Sequence, residues 1–407
     1  MGPVIIIGAG LSGLSCALHL QDKGIPFLIL EGSDGVGGRV RTDEVDGFLL
    51  DRGFQVYLDA YPEAGKLLDL EALDLKSFEP GALVYDGKKL HRVMDVFRRP
   101  VSVISSALAP IGSLADKLRV ALLRFTLLNG QLQNPDQTTE NFLSGFGFSK
   151  RIIDTFFRSF YGGIFLENDL RTSSKMFAFT FRMFTKGNAT LPVAGMGAIP
   201  RQLAERLPKG SLRLNTKVTA LSSKTVTLES GETMTGREIV IATDAHQAAK
   251  LIPSFKPKSP AWRAVTNLYF STDEAPFGDA IIALNGTGQG RINNIAILSN
   301  VAQTYVPNGS GKALLSVSLL GLHEKSDLLE LVKVELEEWF GPSAKNYQHL
   351  RTDHIRQALP EQPPGHASHG FLQIDDVYLC GDHTTTASIE GAIISGKKTA
   401  EALFLGA

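Results

Sequence analysis

Residues 4–13 read Val4-Ile5-Ile6-Ile7-Gly8-Ala9-Gly10-Leu11-Ser12-Gly13, Leu14 to Lys23 continue with helical periodicity, and Phe27-Leu28-Ile29-Leu30-Glu31 closes the run. An apolar strand enters a glycine turn, a helix follows with Leu14, Ala17, Leu18 and Leu20 facing back, and a second apolar strand ends in an acid. That order, within about 30 residues, is a complete dinucleotide-binding βαβ unit. Gly8 permits the tight turn, Gly10 lets a pyrophosphate approach the backbone, and Gly13 lets helix and strand pack closely. Leu11 and Ser12 open the helix, whose N-terminus offers unpaired N–H groups and a partial positive charge. Glu31 stands 18 residues beyond Gly13, near the roughly 20-residue spacing of a carboxylate that binds a ribose hydroxyl pair. It would repel a 2′-phosphate.

The next residues, Gly32-Ser33-Asp34-Gly35-Val36-Gly37-Gly38-Arg39-Val40-Arg41-Thr42, form a glycine-rich loop with two arginines. Gly37 and Gly38 allow close backbone approach, and Arg39 or Arg41 can place a guanidinium fork on a pyrophosphate. Residues 47–57 read as a short strand entering another glycine turn at Gly53-Phe54-Gln55, where Gly53 can admit a flat ring. Two other glycine clusters fail as nucleotide sites. Gly195-Met196-Gly197 lacks a preceding continuous apolar strand and has Pro200 at the third glycine position, and no helix follows Gly286-Thr287-Gly288-Gln289-Gly290. A second site for NAD(P)H is therefore not expected.

A chain of 407 residues exceeds the roughly 250–300 at which a single core stops growing, so two domains are expected. A net charge of −1 with 20% charged residues provides no basic field, which argues against nucleic-acid binding. Cys16 and Cys380 are the only cysteines, too few for a disulfide framework or thiolate metal site, and they fit a reducing, cytoplasmic compartment. The uncharged start lacks a basic n-region and is committed to the nucleotide turn, so it is expected to stay on the mature protein. No uninterrupted run of about 18–20 apolar residues marks a transmembrane helix.

From about residue 88 to 125 the chain alternates basic and apolar residues, with Arg98, Arg99, Lys117, Arg119 and Arg124 among Val, Ile, Leu and Phe. This pattern suits either a segment at a membrane surface or an amphipathic helix packed on the core with its basic residues in water. Eleven of the 23 phenylalanines fall between Phe142 and Phe184, a concentration that suits an apolar chamber, a filled second core, or parts of both. A helix is expected through Ile199, Leu203 and Leu207. Leu212–Leu221, Thr225–Leu228 and Glu238–Thr243 read as strands, the last parallel and buried, and Leu328–Phe340 as an amphipathic helix.

Near the C-terminus, Val377-Tyr378-Leu379-Cys380-Gly381-Asp382 reads as a strand end and Ser388-Ile389-Glu390-Gly391-Ala392-Ile393-Ile394-Ser395-Gly396 as a helix start. Gly391 and Gly396 allow close approach to that helix, and its N-terminus suits negative charge. Cys380 reads as a small core residue. His383 suits proton handling or structural hydrogen bonding, and the pair His366 and His369 lacks a carboxylate or cysteine at ligand spacing, so no metal is expected.

Taken together, these motifs resemble the FAD-containing superfamily of flavin amine oxidases, protoporphyrinogen oxidases and phytoene desaturases. The resemblance rests on GAGLSGL with Glu31, the Gly37-Gly38-Arg39 loop, Lys217-Val218, Ala242-Thr243, Gly381-Asp382 and the SIEGAIISG run. It implies an α/β fold, a Rossmann-like FAD-binding domain over 1–75, 193–250 and 355–407 with an inserted α+β substrate domain over 76–192 and 251–354. It also implies non-covalent FAD, with Glu31 on the adenosine ribose, Arg39 on the pyrophosphate, Val218 on the adenine through its backbone, and the Ile389 N–H on the flavin pyrimidine edge. Asp382 would take a ribityl hydroxyl, and Thr243, Ser388 and Ala392 complete the candidate cofactor residues. Within the superfamily the SIEGAIISG run looks most like plant-type carotenoid desaturases, although 407 residues is short for one. Amine oxidases usually carry an aromatic residue where Ser388 stands and a lysine on the strand matching Ala264–Phe270, where this chain has none.

The expected reaction is a two-electron dehydrogenation of a small apolar, isoprenoid or carotenoid-type substrate, with hydride passing to the flavin N5 and oxygen or a quinone accepting the electrons. No catalytic acid or base stands out. Peripheral membrane contact through 88–125 belongs to this expectation. Amine oxidation is the runner-up. A non-enzymatic lipid carrier similar to prenyl-binding GDP-dissociation inhibitors is a third reading, opposed by the retained phosphate loops, Glu31 and Gly381-Asp382.

Overall fold

The computed structural model describes residues 2–95, 97–98, 111–130, 135–256 and 261–405. Two sheets organise it. The first has six strands in the order Leu212–Arg213, Phe27–Leu30, Val4–Ile7, Ile239–Ile241, Val377–Leu379 and Leu372–Ile374, the last antiparallel and the rest parallel. Its central strands are continuous Val, Ile and Leu runs because both faces are covered. Ile6, Ile29 and Val240 point to one core, while Ile5, Ile7, Leu28, Leu30, Ile239 and Ile241 point to another.

On the first face lie the helix Leu11–Asp22 and the last helix, Ile389–Leu405. A Cβ at Gly396 would overlap the Ser12 carbonyl oxygen and crowd the Cys16 amide, and the Ser15 hydroxyl donates to the Ile393 carbonyl at 2.8 Å. What Gly396 admits is thus the first helix. The second face is covered by a three-stranded antiparallel sheet, Val218–Ser222, Thr225–Leu228 and Thr233–Thr235. The expected continuous strand over Leu212–Leu221 is corrected here. Leu212–Arg213 joins the main sheet, the chain turns at Asn215 with φ of 50°, and Val218–Ser222 enters the small sheet. Asn tolerates that left-handed backbone better than most residues.

The second sheet has seven strands in the order Gln348–Pro360, Trp262–Thr272, Ala313–Leu320, Ile292–Ile297, Ile282–Asn285, Gly81–Tyr85 and Leu90–Met94. Alternation gives it two unlike faces. Leu268, Phe270, Leu315, Val317, Leu319 and Ile295 pack on Leu328, Val332, Leu336 and Trp339 of the helix Leu328–Phe340. The other face, with Val265, Ser318, Leu320 and Asn294, looks into a cavity. The domain boundary expected between 354 and 355 falls inside the strand Gln348–Pro360, which pairs with Trp262–Thr272 along nearly its whole length and belongs to one sheet throughout.

The phenylalanine-rich stretch folds into the helices Thr139–Gly145, Arg158–Phe165 and Ser174–Lys186, with a π-helical turn at Ile153–Phe157. Phe142, Phe157, Phe165 and Phe177 fill a core, and Phe156, Phe160, Phe181 and Phe184 line the cavity. The segment 88–125 divides. Residues 96 and 99–110 lie outside the described residues, Leu90–Met94 is an edge strand, and Leu114–Leu128 is a helix. That helix does not face its basic residues alone to water, as a core-packed amphipathic helix would. Leu114, Leu118, Leu122 and Phe125 are each more than half exposed, while Arg124 pairs with Asp95 at 2.7 Å. Among the described residues no helix is long and apolar enough to cross a membrane.

Candidate active site

A cavity of about 1630 Å³ runs between the two sheets. Gly8, Gly10, Leu11, Ser12, Glu31, Gly37, Gly38, Arg39, Gly53, Phe54, Gln55, Val218, Thr243, Gly381, Asp382, Ser388, Ile389 and Ala392 all line it. Of the expected cofactor residues only Gly13 does not, and its role is different: a Cβ there would overlap the Gly8 carbonyl oxygen. Gly13 keeps helix and turn in contact, and the others face the space that this contact shapes.

The turn is a cradle open on one side. Gly8 holds φ of 107° with the Ala242 carbonyl beside it, whereas a Cβ on Gly10 would meet nothing within 4 Å. The Gly10 backbone therefore borders empty space, as a site for a pyrophosphate requires. The Gly37 amide donates to the Ala9 carbonyl at 2.8 Å, and Gly38 holds φ of 59° with Gly10 Cα as its neighbour. The two glycine loops thus lie edge to edge. Glu31 closes one end, its carboxylate taking hydrogen bonds from the Ala9 amide at 2.7 Å and from the Ser33 amide and hydroxyl at 2.9 and 2.8 Å. This anchored acid beside a side-chain-free cradle fits the adenosine diphosphate half of FAD.

Arg39 crosses the cavity wall. One guanidinium nitrogen donates to Asp382 at 2.7 Å, another to the Ala358 carbonyl at 3.1 Å, and the group lies 5.2 Å from the Trp262 ring centroid. Arg41 turns away and pairs with Asp34, so the geometry selects Arg39 of the two. Gln55 holds the loop by donating to the Arg39 and Arg52 carbonyls at 2.8 and 2.9 Å. At the far end the Ser388 hydroxyl accepts from the Gly391 amide at 3.0 Å, capping the helix that begins at Ile389. That places a 17-residue helix N-terminus at the cavity wall, where it favours negative charge. Both cysteines are buried, and burial pushes the Cys380 thiol up to about 12. Neither is a ready nucleophile.

His383 does not fill either role that its sequence context suggested. It is half-buried and outside the cavity lining, and neither of its buried ring nitrogens has a hydrogen-bond partner among the described residues. Burial lowers its pKa, against the opposing pull of Asp382. The sequence reading missed the wall contributed by His354–Leu359, the edge strand that receives Arg39, and the polar pair Asn294 and Ser318. Nothing local marks these residues, because only strand pairing turns them toward the cavity.

The family model for flavin-containing amine oxidoreductases matches residues 11–404. A 15-cis-phytoene desaturase from Capsicum annuum is 23% identical over 98% of this chain and 77% of its own length. That of Synechococcus elongatus is also 23% identical, over 98% of this chain and 95% of its own. The fold matches a structure from Exiguobacterium sp. 255-15, provisionally described as a protoporphyrinogen oxidase, with TM-score 0.78 and 18% identity over 100% of this chain and 99% of that one. Since the family match begins at the helix that closes the glycine cradle and ends in the helix that closes the opposite wall, the chain belongs to the flavin-containing amine oxidoreductases, with FAD as its cofactor.

Proposed function

We propose that the protein dehydrogenates an elongated apolar molecule of the isoprenoid class, taken up at a membrane surface. The observation that carries this reading is the continuity of the cavity. The glycine cradle opens into a chamber walled by Phe156, Phe160, Tyr161, Phe181 and Phe184, and the same space reaches Leu114 and Leu118 on the exposed helix face. Its volume of about 1630 Å³ exceeds the roughly 300–1,000 Å³ of a site for one small ligand, leaving room for a second molecule beside FAD.

FAD, when bound, supplies the two-electron acceptor chemistry. The residues of the chain do the rest. Gly10, Gly38 and Arg39 would hold the pyrophosphate, Glu31 the ribose, and the helix start at Ile389 would stabilise negative charge at its N-terminus. The aromatic walls would exclude water and align an extended chain. Oxygen or a quinone is the electron acceptor in this reading. The strand Trp262–Thr272 contains no lysine, which separates the site from the amine oxidase pattern.

The test is anaerobic titration of the FAD-loaded protein with isoprenoid polyenes and, separately, with primary and secondary amines, following the flavin absorbance. Bleaching by polyenes alone is expected. Bleaching by amines alone would replace this reading with amine oxidation.

A further inference from the structure

The cavity-facing side of the seven-stranded sheet carries polar residues that dehydrogenation of a hydrocarbon does not require. Asp353, Asn267, Ser318 and Asn294 are aligned partners on four adjacent strands: Asn267 opposes Asp353 and Ser318, and Ser318 opposes Asn294. Directly opposed residues of antiparallel strands share a face, so the four form one line across the sheet. Asn267, Ser318 and Asn294 are all buried, Asn294 at 5% exposure, and Ser318 and Asn294 border the cavity together with Val265, Leu320 and Gly163.

The row is only partly satisfied from within. The hydroxyls of Ser316 and Ser318 donate to the Asn267 amide oxygen at 3.1 and 2.9 Å. Asp353 is held by Arg351 at 2.9 Å. The Asn267 amide nitrogen and the Asn294 amide oxygen have no partner among the described residues, and the donated proton leaves the Ser318 oxygen free to accept. Buried polar groups are seldom left unpaired, because each forfeits its hydration. Gly163 borders the same place: a Cβ there would crowd the Asn293 amide nitrogen at 2.8 Å and come within 3.5 Å of the Asn294 amide nitrogen. The helix Arg158–Phe165 thus packs its glycine directly against the Asn293 end of the strand, while Asn294 and Ser318 still border the cavity.

We infer that Asn294 and Ser318 recognise a hydroxyl group on the substrate, which is then an isoprenoid-class alcohol rather than a pure hydrocarbon. A hydroxyl both donates and accepts, so it satisfies the Asn294 amide in either orientation of its oxygen and nitrogen. This inference rests on the apolar-substrate reading above and narrows it.

The experiment uses the FAD-loaded protein with a C20 isoprenoid alcohol and the isoprenoid hydrocarbon of the same length, each titrated in detergent against the flavin spectrum. The alcohol is expected to bind about tenfold more tightly, the value of one added hydrogen bond. Asn294→Leu should abolish that preference and Ser318→Ala should reduce it, with the flavin still bound as the sign that the fold is intact. Equal binding by the wild type, or a preference that survives both substitutions because water alone occupies the row, overturns the inference while the apolar-substrate reading stands. If neither ligand perturbs the flavin, that reading falls and the inference falls with it.

Discussion

Gly10 and Gly13 belong to one motif and do opposite work. A methyl group at Gly10 meets only the open cradle, so Gly10→Ala should leave the melting temperature of the flavin-free protein within about 2 °C while flavin content drops severalfold. A methyl group at Gly13 meets the Gly8 carbonyl, so Gly13→Ala should lower the stability of the flavin-free protein itself by at least about 2 kcal/mol. Absorbance per mole of protein and thermal melting separate the two. Asp51 offers a second test at this scale. It is buried, accepts from the Met196 amide at 3.0 Å and the Tyr305 hydroxyl at 2.9 Å, and burial raises its pKa to about 6. A raised carboxyl pKa means that the folded state binds its proton more tightly. Its contribution is therefore present near pH 4 and lost as pH rises through about 6, on the order of 3 kcal/mol. Denaturant unfolding of wild type and Asp51→Asn across pH 4–7 should show the difference between them shifting in favour of the variant as pH rises. A pH-independent difference would remove Asp51 as the cause.

Among the elements, the helix Leu114–Leu128 has the clearest division of labour. Ser113 and Asp116 form a capping box at its start, and Asp116 also accepts from the Ser149 amide and hydroxyl at 2.8 and 2.7 Å. Burial alone would raise the Asp116 pKa, but these hydrogen bonds outweigh it and hold the group at about 2. The helix is thus fastened at its N-terminus while Leu114, Leu118, Leu122 and Phe125 form an exposed stripe at three- and four-residue spacing. Its nearby cations are engaged: Arg119 pairs with Asp116, and Arg124 pairs with Asp95 and lies over the Phe97 ring. The proposed membrane attachment should therefore depend more on the leucines than on salt. Leu118→Glu with Leu122→Glu should weaken liposome flotation at least tenfold by removing about 3 kcal/mol or more of apolar burial. Flavin content should be unchanged, and flotation equal to wild type would exclude this face.

Across the whole molecule, Arg39 ties regions that are remote in sequence. It bonds to Asp382 after the last parallel strand and to Ala358 in the seven-stranded sheet, so the loop after the second strand is fastened to both sheets. Arg39→Ala should weaken FAD binding by about tenfold or more, as loss of a charged hydrogen-bonding group to phosphate does. Arg39→Lys should recover part of that loss, since it restores charge without the fork. Equilibrium titration of the flavin-free protein with FAD measures both. How much of this was legible beforehand follows from where each signal resides. The first βαβ unit, the Gly37-Gly38-Arg39 loop and the helix start at Ser388 are local patterns in which adjacent residues must satisfy one backbone geometry, and they can be read in order along the chain. Which of Arg39 and Arg41 faces the cavity, that Gly396 receives the first helix, and that Leu114–Leu128 exposes its leucines are matters of orientation, and orientation is set by distant partners. A dinucleotide-binding βαβ unit could be read from the residues alone, because glycine conformation and strand burial are encoded over short spans. Only the tertiary structure joined the cofactor cradle to an aromatic chamber and laid Asn267, Ser318 and Asn294 in one row, because strand register across separate segments decides which side chains meet.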